Sequence, residues 1–315
     1  MSPDLFPGYT SQHVTTSGGI RIFVRTSPVT SPEQSQRPLL LLHGWPQTHS
    51  LYHKLAPLLQ TRFRLVLMDL RGYGASSADL ESHNGSGYSK RIMAQDCISV
   101  MEQLGFSGPN LKFDLVGHDR GGRVAYRLAL DAPDKINKLV ILDITPTSAM
   151  WKSFGTSNAG VRAYHWTFLA QKEPFPEALI GSADGGQTFL DATLSTWTAS
   201  NSLSAFHPLA IQDYREAYCR PETIHATCED YRAGAFIDNL HDEEDLARGH
   251  KITVPVLVLW GNTALYNEAE TERNDGPIQV WRNYAVNVRG KPLNSGHFLP
   301  EENPEDTAKE MLDFL

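Results

Sequence analysis

The chain has 315 residues, 41% hydrophobic and 20% charged, the balance of an ordinary globular protein rather than a disordered or fibrous one. A formal net charge of −8 without a lysine–arginine cluster argues against nucleic acid as a partner, and no apolar run approaches the roughly 20 residues of a membrane helix. Cys97, Cys219 and Cys228 have neither disulfide-framework numbers nor metal-ligand spacing, and no basic and apolar leader follows Met1, so the expectation is a metal-free cytoplasmic protein.

Apolar runs and turn residues predict alternating strands and helices. Ile20 to Thr26 reads as an early strand paired with the segment around His13, and Pro38 to Leu42 as a strand buried on both faces. His49 to Leu59 reads as a helix, Phe63 to Met68 as the next buried strand, and Ser89 to Leu104 as an amphipathic helix. Leu111 to Val116 is a strand followed by a helix-like run from Val124 to Ala132; Lys138 to Leu142, Val254 to Leu259 and Tyr284 to Val288 are the remaining strands. Pro304 to Leu315 is a closing helix opened by proline. These are eight strands in all, and their alternation with helices predicts an α/β protein: a mainly parallel sheet with helices on both faces. Residues 146–250 break the rhythm with helix-like, aromatic sequence, which divides the chain into a core of 1–145 and 251–315 and a helical cap inserted into it. Ser82 to Gly87 and Glu268 to Gly276 read as flexible loops near the mouth.

The segment Gly117-His-Asp-Arg-Gly-Gly-Arg123 lies between a predicted strand and a predicted helix. This is the context of a nucleophile elbow in the α/β-hydrolase fold, with aspartate in the place usually held by serine. A carboxylate there selects for displacement at saturated carbon, because attack on tetrahedral carbon gives an ordinary ester that water can cleave. An N-cap aspartate is the plainer reading of Asp119. His43-Gly-Trp-Pro46 follows the strand ending at Leu42 and should neighbour Asp119; the amides of Trp45 and Arg120 are then the natural oxyanion donors. His43 itself reads as a buried loop histidine bonding backbone. His297, in Asn294-Ser-Gly-His-Phe298, is placed to be the last member of a nucleophile–acid–histidine set. Its acid is Asp143, which emerges from Val140-Ile-Leu142, in preference to Glu268 or Glu270, since Trp260 to Ala264 contains no carboxylate.

With HGWPQ, DLRGYG (Asp69 to Gly74), GHDRGGR, LALDAP, LDITP, AYHWTFL (Ala163 to Leu169), CEDYRA (Cys228 to Ala233) and SGHF, the chain resembles the haloacetate dehalogenases, specifically the fluoroacetate dehalogenase group of the α/β-hydrolase superfamily. HGxP, DxRGxG and SGHF are shared with epoxide hydrolases; the arginines after Asp119 and the His-Trp and Asp-Tyr-Arg pairs are more selective. The resemblance implies that Arg120 and Arg123 hold a substrate carboxylate and that His165, Trp166 and Tyr231 cradle the leaving halide, with Trp197 as pocket lining and Arg71 as a brace. Two guanidiniums three residues apart share a helix face in the first turn, where an anion is favoured. The implied reaction is conversion of a haloacetate to glycolate and halide through an ester on Asp119, with no cofactor, in a homodimer. Competing readings are an epoxide hydrolase using Asp119, Asp143 and His297 with cap tyrosines, a hydrolase of a larger natural-product acid or lactone, and a non-catalytic binder.

Overall fold

The structure is a computed structural model describing residues 4–29, 36–109, 111–155, 157–182, 184–263 and 276–315. Its centre is an eight-stranded sheet in the order β1-β2-β4-β3-β5-β6-β7-β8. The strands are β1 (Thr10–Thr15), β2 (Arg21–Thr26), β3 (Arg37–Leu42), β4 (Phe63–Met68), β5 (Phe113–His118), β6 (Ile136–Leu142), β7 (Val256–Gly261) and β8 (Val288–Leu293). β1 and β2 run antiparallel to their neighbours, and every pairing from β4 through β8 is parallel.

Period-two geometry explains the unbroken apolar runs. Leu40, Leu42 and Leu115 point into one core with Met93 and Val124; Leu39, Leu41 and Val116 point into the other with Ala56, Leu59 and Met311. Each face is covered by helices, so both sets of side chains must be apolar. The covering helices are α1 (Ala56–Leu59), α2 (Lys90–Gln103), α3 (Asp119–Asp131) and the last helix, Pro304–Phe314. Ser89 caps α2 by accepting from the Ile92 amide. Among the described residues, no helix is long and apolar enough to cross a membrane.

Between β6 and β7 the chain is helical: α4 (Thr147–Ser153), α5 (Ser157–Arg162), α6 (Tyr164–Leu169), α7 (Phe175–Gly181), α8 (Gln187–Trp197), α9 (Pro208–Tyr218), α10 (Pro221–Ala233) and α11 (Asn239–Ala247). Buried charges tie these helices to the core. Arg127 on α3 donates to Asp242 and Asp245 on α11 at 2.9 and 2.6 Å, and the Tyr126 hydroxyl donates to Asp242 at 2.9 Å.

Three expectations change. The helix expected over His49 to Leu59 is a 3-10 turn, His49–Tyr52, followed by the short α1. Pro57 has no amide for an i to i−4 bond, and the turn is held instead by Asp69, which accepts from the His49 backbone and ring at 2.7 and 2.8 Å. The last strand begins at Val288 instead of ending there, because Ala285 is taken up in an isolated bridge to Ile252. Ser82 to Gly87 is no free loop: the Ser82 hydroxyl and Gly85 amide both donate to Glu229 of α10, at 2.7 and 2.8 Å. The alternative acids Glu268 and Glu270 and nearly all of the loop around them lie outside the described residues.

Candidate active site

The turn from β5 into α3 is possible only with glycine around it. Asp119 has φ +46°, a left-handed conformation that a non-glycine residue adopts rarely and at a cost. A Cβ on Gly121 would lie 2.3 Å from the His43 carbonyl oxygen, and one on Gly44 would lie 2.4 Å from the Asp119 Cβ. The elbow and the loop after β3 are therefore in direct contact. His43 stiffens that loop: its Nδ1 donates to the Gly44 carbonyl at 2.9 Å and its Nε2 accepts from the Leu70 amide at 3.0 Å.

Asp119 is buried, and its Oδ1 accepts the Trp45 amide at 2.9 Å. Its Oδ2 lies 3.9 Å from His297 Nε2. The other nitrogen of that ring, Nδ1, donates to Asp143 Oδ2 at 2.5 Å, and Asp143 Oδ1 accepts the Gly261 amide at 2.9 Å. A donor at Nδ1 leaves Nε2 with its lone pair facing Asp119. Burial alone would raise the Asp119 carboxyl, but the charges of His297, His118, Arg120 and Arg123 outweigh it and hold the group below its ordinary value. Burial likewise pushes His297 down, and the hydrogen bond and charge of Asp143, with Asp119 and Glu302, hold it above its ordinary value.

The two arginines after the elbow differ in environment. Arg120 is fully buried and locked on Asp230 of α10: Nε donates to Oδ2 at 3.0 Å, and Nη2 to Oδ1 and the backbone carbonyl at 2.6 and 2.7 Å. Its Nη1 is buried without a partner. Asp230 also accepts from Lys90 and, at 2.8 Å, from the Tyr73 hydroxyl. Arg123 has no carboxylate partner among the described residues. Its Nη1 donates to the Thr145 carbonyl and Thr147 hydroxyl at 3.0 and 3.2 Å, its Nε is buried and unpartnered, and its guanidinium carbon sits 4.3 Å from the Trp166 ring centroid. Burial, followed by the charge of Arg120, lowers its pKa.

The cap closes over this group with aromatic rings. His165 stacks on Trp45 with centroids 5.6 Å apart and lies 5.8 Å from the Tyr231 ring, which lies 5.9 Å from Trp166. Burial drives His165 down to about 3, so the ring is neutral. Its Nδ1 and the Tyr231 hydroxyl are buried polar atoms without partners, an arrangement that invites a ligand or water. Trp197 completes the wall, 4.6 Å from His165 and 5.2 Å from His297 between centroids. Arg71 donates twice to Asp96 at 2.6 Å and once to the Gly87 carbonyl at 2.7 Å, which braces its loop. Asp119, Asp143 and His297 thus come together with Trp45, Arg120, Arg123, His165, Trp166, Trp197 and Tyr231, while Arg71 pairs elsewhere with Asp96 and Glu268 and Glu270 lie outside the described residues. Asp230 and Lys90 were missed, although the first adjoins Tyr231 in CEDYRA; a charge in a run of buried residues needs a counter-charge, and that was the available signal. Elsewhere on the cap, Glu173, Glu177 and His225 bring three ligand-type atoms within 4.8 Å, but Glu177 is spoken for by Arg232 at 2.7 Å.

The chain is similar to known proteins over most of its length. A family profile described as alpha/beta hydrolase fold matches residues 37–304, and the chain belongs to that family. It is 40% identical to a fluoroacetate dehalogenase of a Burkholderia species over 88% of this chain and 86% of that one. A soluble epoxide hydrolase of Corynebacterium sp. (strain C12) is 30% identical over 88% and 90%. A solved structure of a putative alpha/beta hydrolase from Nostoc sp PCC 7120 superposes with a TM-score of 0.87 at 43% identity, covering 98% of each chain. Within its family, the protein is a dehalogenase-like hydrolase.

Proposed function

We propose that the protein hydrolyses haloacetates to glycolate and halide through an ester on Asp119. The observation that carries this reading is Arg123, a buried guanidinium without an acidic partner among the described residues, whose charge is felt at the Asp119 carboxyl. A buried cation left uncompensated is costly, and a substrate carboxylate supplies the missing charge through hydrogen bonds worth roughly 1.5–3 kcal/mol each. Arg120 adds Nη1, while its own charge is already matched by Asp230.

With the carboxylate held, Asp119 Oδ2 attacks the α-carbon. The new bond is carbon–oxygen, and the pair from the carbon–halogen bond leaves with halide toward His165, Trp166 and Tyr231. Fluoride concentrates its charge, so fixed neutral donors help most at that point. His297 Nε2 then takes a proton from water as the water attacks the ester carbonyl. Oδ1 becomes the oxyanion on the Trp45 and Arg120 amides, each such donor worth roughly 2.7–4 kcal/mol in acyl transfer. Collapse breaks the bond from the Asp119 carbonyl carbon to the oxygen of the glycolyl group, which leaves as glycolate with the proton from His297, and loss of the remaining proton to solvent restores the Asp119 carboxylate.

The unpartnered Tyr231 hydroxyl and the epoxide hydrolase relative favour one second reading, opening of an epoxide by the same aspartate. Product analysis separates the two: fluoride or chloride from fluoro- and chloroacetate is expected, with little diol from styrene oxide. Diol formation without halide release would reverse the assignment.

A further inference from the structure

We propose that Glu302 is a positioning residue for the hydrolytic half of the reaction, gripping the backbone on both sides of His297 and tying that loop to the cap behind Trp197. It sits at the end of the short turn Leu299–Glu302. Its Oε1 accepts the Phe298 amide at 2.9 Å, and its Oε2 accepts the Gly296 and Ala199 amides at 3.0 and 2.8 Å. The amide between those two, that of His297, donates to the Trp197 carbonyl at 2.9 Å, and the His297 carbonyl accepts from His118 Nε2 at 2.8 Å. One carboxylate thus fixes residues 296 and 298 while the cap and β5 fix residue 297. Charge-assisted bonds of this kind are about twice as strong as neutral ones. The fit leaves no slack: a Cβ on Gly296 would stand 2.4 Å from the Ala199 nitrogen and 2.7 Å from Glu302 Oε1.

None of these contacts involves Asp119, the arginines or the halide donors, so alkylation does not depend on Glu302. The second step does, since a displacement of the general base of about 1 Å costs on the order of a hundredfold. The charged or titratable groups facing His297 are Asp143 beyond β6, Asp119 on α3, His118 on β5, His165 on α6 and Glu302 itself. Of these, Asp143, Asp119 and Glu302 hold its proton more tightly, so removal of the Glu302 charge should move the pH midpoint of ester hydrolysis downward.

The inference rests on the reading of His297 as the base. The full-length protein is mixed with chloroacetate and quenched for intact mass in wild type, E302Q, E302D and an H297N control. E302Q is expected to be alkylated within about twofold of the wild-type rate and to lose its ester about tenfold more slowly or worse, with a lower pH midpoint. E302D, which keeps the charge with a shorter reach, should slow ester loss and leave the midpoint near the wild type's. Ester loss from E302Q at the wild-type rate, or equal slowing of both steps with an unmoved midpoint, overturns the proposal. Should E302Q fail to melt cooperatively, E302D decides, and wild-type ester loss there overturns it. An H297N control that takes up no mass defeats the reading of the base instead.

Discussion

His297 and Asp119 are displaced from their ordinary pKa values in opposite directions, and each direction has a kinetic consequence. Asp119 is held below its ordinary 3.8, so it is ionised near neutral pH, and the proposed alkylation should be flat with pH there. His297 is raised above its ordinary 6.5, and only its neutral form can accept a proton from water. In the proposed ester Asp119 carries no charge, but Asp143 and Glu302 still hold the proton on His297, so ester hydrolysis is fastest where the ring is neutral and is lost as pH falls through its pKa. Rapid-quench measurement of the two steps should show ester accumulating near pH 6 and turning over freely in the alkaline range; the reverse trend would contradict the assignment. Arg123 has a separate signature. Arg123→Met should raise KM for chloroacetate by about tenfold or more, one charge-assisted contact's worth, while KM for neutral chloroacetamide changes far less.

At the scale of elements, α3 carries the proposed nucleophile at its first residue, Arg120 in its first turn, Arg123 at the start of its second and Arg127 further along against the cap. Arg127→Met leaves Asp242, buried as deeply as the arginine, without its charged partner. Removal of one member of a buried pair costs about 3–5 kcal/mol, which denaturant titration would register as a lower midpoint. The strands at the centre of the sheet were legible in the sequence because burial on both faces demands unbroken apolar runs such as Leu39 to Leu42. β8 was not: it is an edge strand whose Arg289 and Lys291 face outward, so its strongest apolar signal lay upstream at Tyr284 and Ala285. The helix expected after His49 failed because a long-range partner, Asp69, decides its conformation, and no local propensity encodes that. The candidate site read more fully than the fold, since elbow geometry needs particular glycines at particular spacings. Its supporting acids were hidden because a buried aspartate such as Asp230 looks in sequence like any surface charge.

The whole molecule is acidic, with a formal net charge of −8, yet the proposed reaction requires its candidate site to receive an anion. These are compatible, since the local field of Arg120, Arg123 and the α3 terminus governs a small ligand at contact range while surface charges are screened within about 10 Å. The candidate site also draws on two parts of the molecule: the proposed nucleophile, base and arginines come from the sheet, the loop after β8 and α3, and the proposed ring donors from the helices between β6 and β7. A product that bridges them should stabilise the fold as a unit. Glycolate at a hundredfold excess over its Kd is expected to add about 2.7 kcal/mol, seen as a raised Tm in wild type and as little or no rise in Arg123→Met.

The proposed covalent step is open to direct observation. The His297→Asn variant treated with chloroacetate should gain the mass of one carboxymethyl group, and peptide mapping should place it on Asp119. An unchanged mass, or the adduct on any other residue, would contradict the account.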